Sequence, residues 1–99
     1  MFVYLDDERT TPDDWVRTKN VADTIYLLKN KKVEKVSLDH DLGMDTENGY
    51  DVLLWIEEQV FTNPSYVLPD ILIHTANPSA RIKMKLGVDR INKKYFQNK

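Results

Sequence analysis

The sequence of 99 residues contains no cysteine. This absence excludes a disulfide framework, a thiolate zinc site and a cysteine nucleophile, and it favours a reduced, cytoplasmic location. The chain also lacks an apolar run near the roughly 20 residues that cross a bilayer, and its first residues lead into acids rather than into a signal peptide. It has no internal repeat and no low-complexity tract. We therefore expect a single cytoplasmic domain over residues 1–99.

The net charge of −2 conceals an uneven distribution along the chain. Residues 1–51 include twelve acids and seven bases, whereas residues 81–99 include seven bases and one acid. An acidic first half repels phosphates unless a cation is bound within it. We therefore do not expect an extended nucleic-acid interface. The charge pattern does not predict which oligomeric state the protein adopts.

Short apolar runs that end abruptly in polar residues predict four β-strands. These strands are Phe2–Leu5, Trp15–Thr18, Val33–Leu38 and Asp70–Ile73.

Three segments with helical spacing follow the second, third and fourth strands. Asn20 is the expected N-cap of the first helix, and the second extends from about Tyr50 to Phe61. The third begins at Asn77-Pro78. We expect this last helix to bury Ile82, Leu86 and Ile91 and to be weakened at Gly87.

Strands that alternate with helices indicate an α/β domain with right-handed crossovers. We expect a small doubly wound sheet of about four parallel strands in the order 2-1-3-4, with helices on both faces. The connection between the first two strands is too short for a normal helix, so this helix is expected to be shortened to a loop. A fifth strand is not recognisable.

Acidic residues follow the first and third strands, at the sheet edge where open α/β folds bind ligands. Asp6, Asp7 and Asp39 would repel one another there unless a proton or a cation neutralises them. Oxygen ligands favour Mg²⁺ or Mn²⁺, so we predict a divalent metal site on these three residues. Glu8 and Asp41 are expected beside the ligands. The alternative is that Asp6 or Asp7 only caps a turn.

The chain has two histidines, His40 and His74, and both follow strands at this same edge. Histidine is the usual general acid or base near neutral pH. We predict that at least one of them takes part in catalysis together with Asp39; the alternative is a structural role for both. No HExxH or HxxxH spacing supports a zinc site on a helix.

The start of the third helix provides a candidate phosphate site. Helix N-termini attract anions, and Asn77, Thr75 and Arg81 lie in or beside this one. Arg9, which follows the first acidic cluster, is a second candidate clamp for phosphate. Simple capping of the helix by Asn77 is the alternative.

These residues resemble the receiver domains of response regulators. Asp6-Asp7 corresponds to the acidic pair after the first strand, Leu38-Asp39 to the phosphoacceptor strand, and the segment ILIHTA over residues 71–76 to the fourth strand. The resemblance implies that Asp6 and Asp7 bind metal, that Asp39 is phosphoacceptor or third ligand, and that Thr75 is the switch hydroxyl. The missing fifth strand and its lysine, Gly43 in place of proline, and the His before Thr75 depart from receivers.

The features in which the sequence departs from receivers make it resemble a second, closer family, the cyclic-phosphate processing receiver domain. Its pattern is similar to four segments that occur here in order over nearly the whole chain: LDDERTTPDDW, SLDHDLG, a Gly-Tyr-Asp helix entry, and His-Thr-Ala-Asn-Pro.

The resemblance implies a metal-dependent phosphoesterase that processes a cyclic phosphate on a nucleotide or RNA end. The expected partner is thus a phosphorylated small molecule or a nucleotide end. Two alternatives stay open: a module that binds the phosphate or cyclic nucleotide without turnover, and a receiver that is phosphorylated on Asp39.

Overall fold

In the computed structural model, which describes residues 1–42 and 47–97, four parallel strands form one sheet in the order 2-1-3-4, as predicted. The elements in chain order are β1 (Phe2–Leu5), β2 (Trp15–Thr18), α1 (Val21–Asn30), β3 (Lys35–Leu38), α2 (Gly49–Thr62), β4 (Asp70–Ile73) and α3 (Pro78–Gln97). Among the helices of this described part, none combines the length and the apolar character that crossing a bilayer requires.

One face of the sheet carries the hydrophobic core. The alternating residues Val3 and Leu5 of β1 and Val36 and Leu38 of β3 are fully buried there. Buried side chains from all three helices join the same cluster: Val21 and Leu28 from α1, Val52 and Ile56 from α2, and Met84 and Ile91 from α3. The described helices therefore pack on a single face of the sheet.

The expected placement of helices on both faces is thus wrong, although the fold class and strand order are confirmed. The crossovers from β2 to β3 and from β3 to β4 run in the same direction across the sheet, so right-handedness puts α1 and α2 on the same side. The connection from β1 to β2 runs the other way and would place its helix on the second face. That connection is a loop, as predicted.

Aromatic rings occupy part of the second face. The ring centroids of Phe2 and Trp15 lie 5.2 Å apart, and those of Tyr4 and Trp15 lie 6.0 Å apart. The Tyr4 ring also stacks on His74, with centroids 4.1 Å apart and planes at 4°. A continuous row of ring contacts therefore extends along the second face to His74 at the carboxyl end of β4.

The helix and strand boundaries agree with the prediction within two residues, whereas the buried face of α3 does not. The helix continues through Gly87, and Ile82 and Leu86 are exposed, which contradicts the expected burial of these two residues. The buried positions are Ala80, Met84, Gly87 and Ile91, at spacings of four, three and four residues. These spacings are helical, but Ala80 and Gly87 are too small to form a recognisable apolar stripe in the sequence.

Replacing Asn20 with alanine should lower the free energy of unfolding by about 1 kcal/mol, as is usual when an N-cap side chain is lost. The Asn20 side chain accepts a hydrogen bond of 2.8 Å from the N–H of Asp23 at the start of α1. Urea denaturation followed by circular dichroism measures the change. The exposed neighbour Lys19 provides the control, since Lys19→Ala removes no cap; equal losses in both variants would contradict the capping role.

Candidate functional site

The carboxyl ends of β1, β3 and β4 bring three predicted residues together. Asp6, Asp39 and His74 each directly follow their strand, and one ligand atom from each lies within 4.8 Å of the others. The strand pairing continues through these residues, because the Asp39 N–H donates to the Leu5 carbonyl (3.1 Å) and the His74 N–H to the Leu38 carbonyl (3.0 Å). The sheet backbone thus fixes the spacing of this Asp6–Asp39–His74 cluster.

Asp6 is fully buried, and its two carboxylate oxygens have different surroundings. Oδ1 accepts hydrogen bonds from the backbone N–H groups of Glu8 (2.8 Å) and Arg9 (2.9 Å), while Oδ2 lies 3.2 Å from His74 Nε2. Burial raises the pKa of Asp6, but the two N–H groups and His74 outweigh it and lower the pKa below its usual value. Asp6 is therefore ionised at neutral pH.

Asp39 has the opposite balance. Burial raises its pKa above the usual value, and the nearby Asp6 carboxylate adds to the rise, against a hydrogen bond of 2.7 Å from the His40 N–H to Oδ1. The nearby Thr75 hydroxyl also acts to lower this pKa. The pKa values of the two acids are therefore shifted in opposite directions, and a nearby positive charge would lower the raised pKa of Asp39.

His74 links the cluster to the second face of the sheet. Its Nε2 faces Asp6, and its Nδ1 lies 2.6 Å from the Ser37 hydroxyl. Burial lowers the pKa of His74, although Asp39 and Asp6 act in the opposite direction. Tyr4 and Ser37 were not predicted as contacts of this ring. Period-two alternation was the available signal, because the register pairs Tyr4 with Ser37 on the face that His74 shares.

The predicted phosphate-side residues surround the start of α3. Thr75 is buried and its Oγ1 accepts a hydrogen bond from the Asn77 N–H (3.2 Å). The Asn77 side chain accepts from the Ala80 N–H (3.1 Å), so it caps the helix. Arg81 is exposed on the first turn. Arg9 lies on the other side of the cluster, with Nε 3.8 Å from Asp6 Oδ2 and nearly half of its side chain exposed.

A pocket of about 280 Å³ opens beside the cluster. It is lined by Asp6, Glu8, Arg9, Asp39, Asp41 and Ala76. A larger cavity of about 440 Å³ lies at the opposite end of the strands, near the amino ends of β3 and β4 and next to Lys31, Lys32 and Tyr66. We place the functional site at the smaller pocket, because ligands of open parallel sheets bind at the carboxyl ends of the strands.

Asp7 and His40 lie outside the cluster. Asp7 is partly buried and does not belong to the group of ligand atoms that lie within 4.8 Å among the described residues. His40 has about a quarter of its side chain exposed, and its Nδ1 lies 2.8 Å from Asp41 Oδ1. Glu8 and Asp41 line the pocket beside the cluster. Gly43 of the SLDHDLG segment lies outside the described residues.

The donor set of the cluster fits a divalent cation. Two carboxylates and one imidazole are close enough to share an ion, and backbone N–H groups hold only one oxygen of each carboxylate. Carboxylate oxygens and imidazole nitrogen are common ligands of divalent metals in proteins. A cation would also counteract burial and the repulsion from Asp6, which both raise the pKa of Asp39.

Comparison with known proteins gives a family and a fold. The profile described as "Cyclic-phosphate processing Receiver domain" matches residues 1–90. The solved structure "MaeR response regulator bound to beryllium trifluoride" is similar, with a TM-score of 0.59, 18% sequence identity, and coverage of 99% of this chain and 98% of that chain. At this identity the likeness shows a shared receiver-like fold. A search of curated proteins gave no significant match.

Proposed function

Because the chain belongs to the cyclic-phosphate processing receiver domain family, we propose that it is a divalent-metal-dependent phosphoesterase that opens a cyclic phosphate. The proposed substrate is a nucleotide or an RNA end. The observation that carries this proposal is the Asp6–Asp39–His74 cluster, which combines a cation-binding donor set with a pocket large enough for a phosphate group.

Asp6 and Asp39 would hold the cation, by the carboxylate oxygens that lie near each other and near His74. A bound divalent cation polarises a phosphoryl group and lowers the pKa of a coordinated water. The low pKa of Asp6 supports this role, since a metal ligand must be deprotonated. Asp7, from its position just outside the cluster, would act on the cation only through water.

Because both ring nitrogens of His74 already have partners, Asp6 and Ser37, we assign the proton transfer to His40. Its Nδ1 is held by Asp41 at the rim of the pocket, which leaves Nε2 as the acceptor nitrogen. In the proposed reaction Nε2 accepts a proton from the attacking water as its oxygen bonds to phosphorus. One ring P–O bond then breaks, and the departing ribose oxygen takes up a proton. The product is a phosphomonoester, and the sum is the addition of one water.

The phosphate oxygens would lie between Arg9 and the start of α3. The guanidinium of Arg9 is half-exposed and makes only a long contact of 3.8 Å with Asp6, so it can turn toward a phosphate oxygen. Thr75 and Asn77 fix the positive end of α3, and Arg81 on the first turn adds a second cation. These four residues would neutralise charge that develops on the non-bridging oxygens.

The test is a turnover assay on the full chain. The panel contains 2′,3′-cyclic nucleotides, 3′,5′-cyclic nucleotides and an oligonucleotide with a 2′,3′-cyclic phosphate end, each with Mn²⁺, with Mg²⁺ or with a chelator. We expect a mass gain of one water on at least one substrate, and no gain in the chelator. Recovery of every ligand intact, whether free or from a stoichiometric complex, would contradict the proposal.

A receiver phosphorylated on Asp39 is the second candidate. The buried Thr75 hydroxyl near Asp39 and the receiver-like fold favour it. It predicts an acyl phosphate on Asp39 after incubation with a small phosphodonor such as acetyl phosphate. Mass spectrometry after borohydride trapping distinguishes this outcome from hydrolysis of the cyclic phosphate.

A further inference from the structure

We propose that His74 is itself a metal ligand and that the site selects a first-row transition ion, with Mn²⁺ as its probe, over Mg²⁺. This inference rests on the proposed function, because it concerns the cation of the same site. It goes further by assigning the histidine that the reaction above does not use and by naming the class of ion.

The position of His74 Nε2 is that of a ligand. It lies 3.2 Å from Asp6 Oδ2, and the Asp39 carboxylate completes a group within 4.8 Å. Two ligand atoms bound to one ion by bonds of about 2.1 Å lie roughly 3.0–3.4 Å apart when the angle between the bonds is octahedral or tetrahedral. The spacing of Nε2 and Oδ2 therefore already matches two adjacent ligands of one ion.

Ser37 supplies the partner that a metal-bound histidine requires. Ligating histidines usually donate the N–H of their other ring nitrogen to a nearby acceptor, which fixes the tautomer. Ser37 Oγ lies 2.6 Å from Nδ1 and is buried. A serine hydroxyl can donate or accept, so Ser37 satisfies Nδ1 in either tautomer. Metal binding then only moves the ring proton from Nε2 to Nδ1.

The ring is also held in place by its neighbours. The Tyr4 ring stacks on it in nearly parallel planes at 4.1 Å, and only 13% of the His74 side chain is exposed. The strand pairing fixes the backbone at the same point, since the His74 N–H bonds to the Leu38 carbonyl. A ligand that is oriented before binding loses little conformational freedom when the ion arrives.

The imidazole decides which ion is preferred. Mg²⁺ takes oxygen ligands in a strict octahedral shell and gives up its waters reluctantly. Imidazole nitrogen suits transition ions, whose affinity for nitrogen sites rises along the first row from Mn²⁺. One nitrogen among two carboxylates therefore favours Mn²⁺ over Mg²⁺, whereas a site of carboxylates alone would accept both.

Calorimetric titration of the full chain with Mn²⁺ and with Mg²⁺ tests the selectivity. We expect Mn²⁺ to bind at least about tenfold more tightly than Mg²⁺. His74→Asn should remove most of this preference by weakening Mn²⁺ binding. The matched control is His40→Asn, which removes the other histidine and should retain the preference. Equal binding of the two ions by the native chain would overturn the inference.

Electron spin echo modulation of bound Mn²⁺ tests the ligand directly, and its decisive result comes from the native chain. We expect a nitrogen coupling from imidazole in the native chain and in His40→Asn, and none in His74→Asn. Bound Mn²⁺ without nitrogen coupling in the native chain would overturn the assignment of His74 while leaving the phosphoesterase proposal standing. Turnover that persists in the chelator would instead defeat the proposed function.

Discussion

Replacing Gly49 with alanine is expected to lower the free energy of unfolding by about 3 kcal/mol or more, near the upper end for overpacking by a single methyl group. Gly49 is the first residue of α2 and is buried against the end of β3. A Cβ at this position would lie 1.8 Å from the Asp39 carbonyl oxygen and 2.9 Å from its carbonyl carbon. These are backbone atoms, so relief requires α2 to move away from β3.

Gly87→Ala is the matched control, since both glycines are buried at helical positions. A Cβ at Gly87 would lie 3.6 Å from Leu53 Cδ1 and 3.7 Å from the Tyr50 ring, which are ordinary contacts. We expect this variant to gain up to about 1 kcal/mol from the better helix propensity of alanine. Urea denaturation of the two variants beside the native chain measures both changes. A Gly49→Ala variant as stable as the native chain would show that this packing is wrong.

The strands were predictable because their signal is local. Phe2–Leu5 and Asp70–Ile73 are short apolar runs that end in polar residues, and the structure has both strands with these limits. The third strand begins at Lys35, two residues later than predicted. Val33 is apolar and contacts the core from the preceding loop, and hydrophobicity alone does not distinguish this position from a strand.

The side of the sheet on which the helices pack depends on topology rather than on local pattern. The predicted strand order and right-handed crossovers already place α1 and α2 on one side, because both crossovers run in the same direction, so this error was avoidable. The buried face of α3 was missed for a different reason. Ala80 and Gly87 contribute little hydrophobicity, so the buried positions do not stand out as an apolar stripe in the sequence.

The candidate site was predictable as a set of strand ends, but not atom by atom. The sequence contains three consecutive acids after β1, and nothing local indicates which of them enters the cluster. Asp6 does so because its N–H continues the strand pairing by donating to the Thr18 carbonyl, whereas Asp7 falls outside the cluster. Ser37 was missed because a small polar residue inside a strand carries no chemical signal until its register with His74 is known.

Asp39→Asn is expected to reduce turnover of the cyclic phosphate by about a hundredfold or more, because a bound cation contributes several kcal/mol of transition-state stabilisation. The substitution keeps an oxygen to accept the His40 N–H but removes one of the two charges that would hold the ion. Multiple-turnover kinetics at saturating Mn²⁺ measure the loss. Asp13→Asn, at an exposed position in the β1–β2 loop, removes the same charge away from the site and should retain native turnover.

The same variant should be at least as stable as the native chain in a chelator. Burial and the nearby Asp6 raise the pKa of Asp39, so the stability contributed by its protonated form is lost as the pH rises through that pKa. Ionised Asp39 therefore destabilises the metal-free domain at neutral pH, and asparagine removes this effect. Mn²⁺ should raise the thermal midpoint of the native chain and change that of the variant much less.

These two measurements together separate catalysis from folding. A folded Asp39→Asn variant that loses both turnover and the stabilisation by Mn²⁺ is the result expected of a metal ligand. A variant that loses turnover but is still stabilised by Mn²⁺ would indicate that Asp39 acts on the phosphate rather than on the ion. Full turnover by a folded variant would contradict the assignment of Asp39 to the reaction, because the neighbouring Asp6 cannot replace a carboxylate on the adjacent strand whose position the sheet fixes.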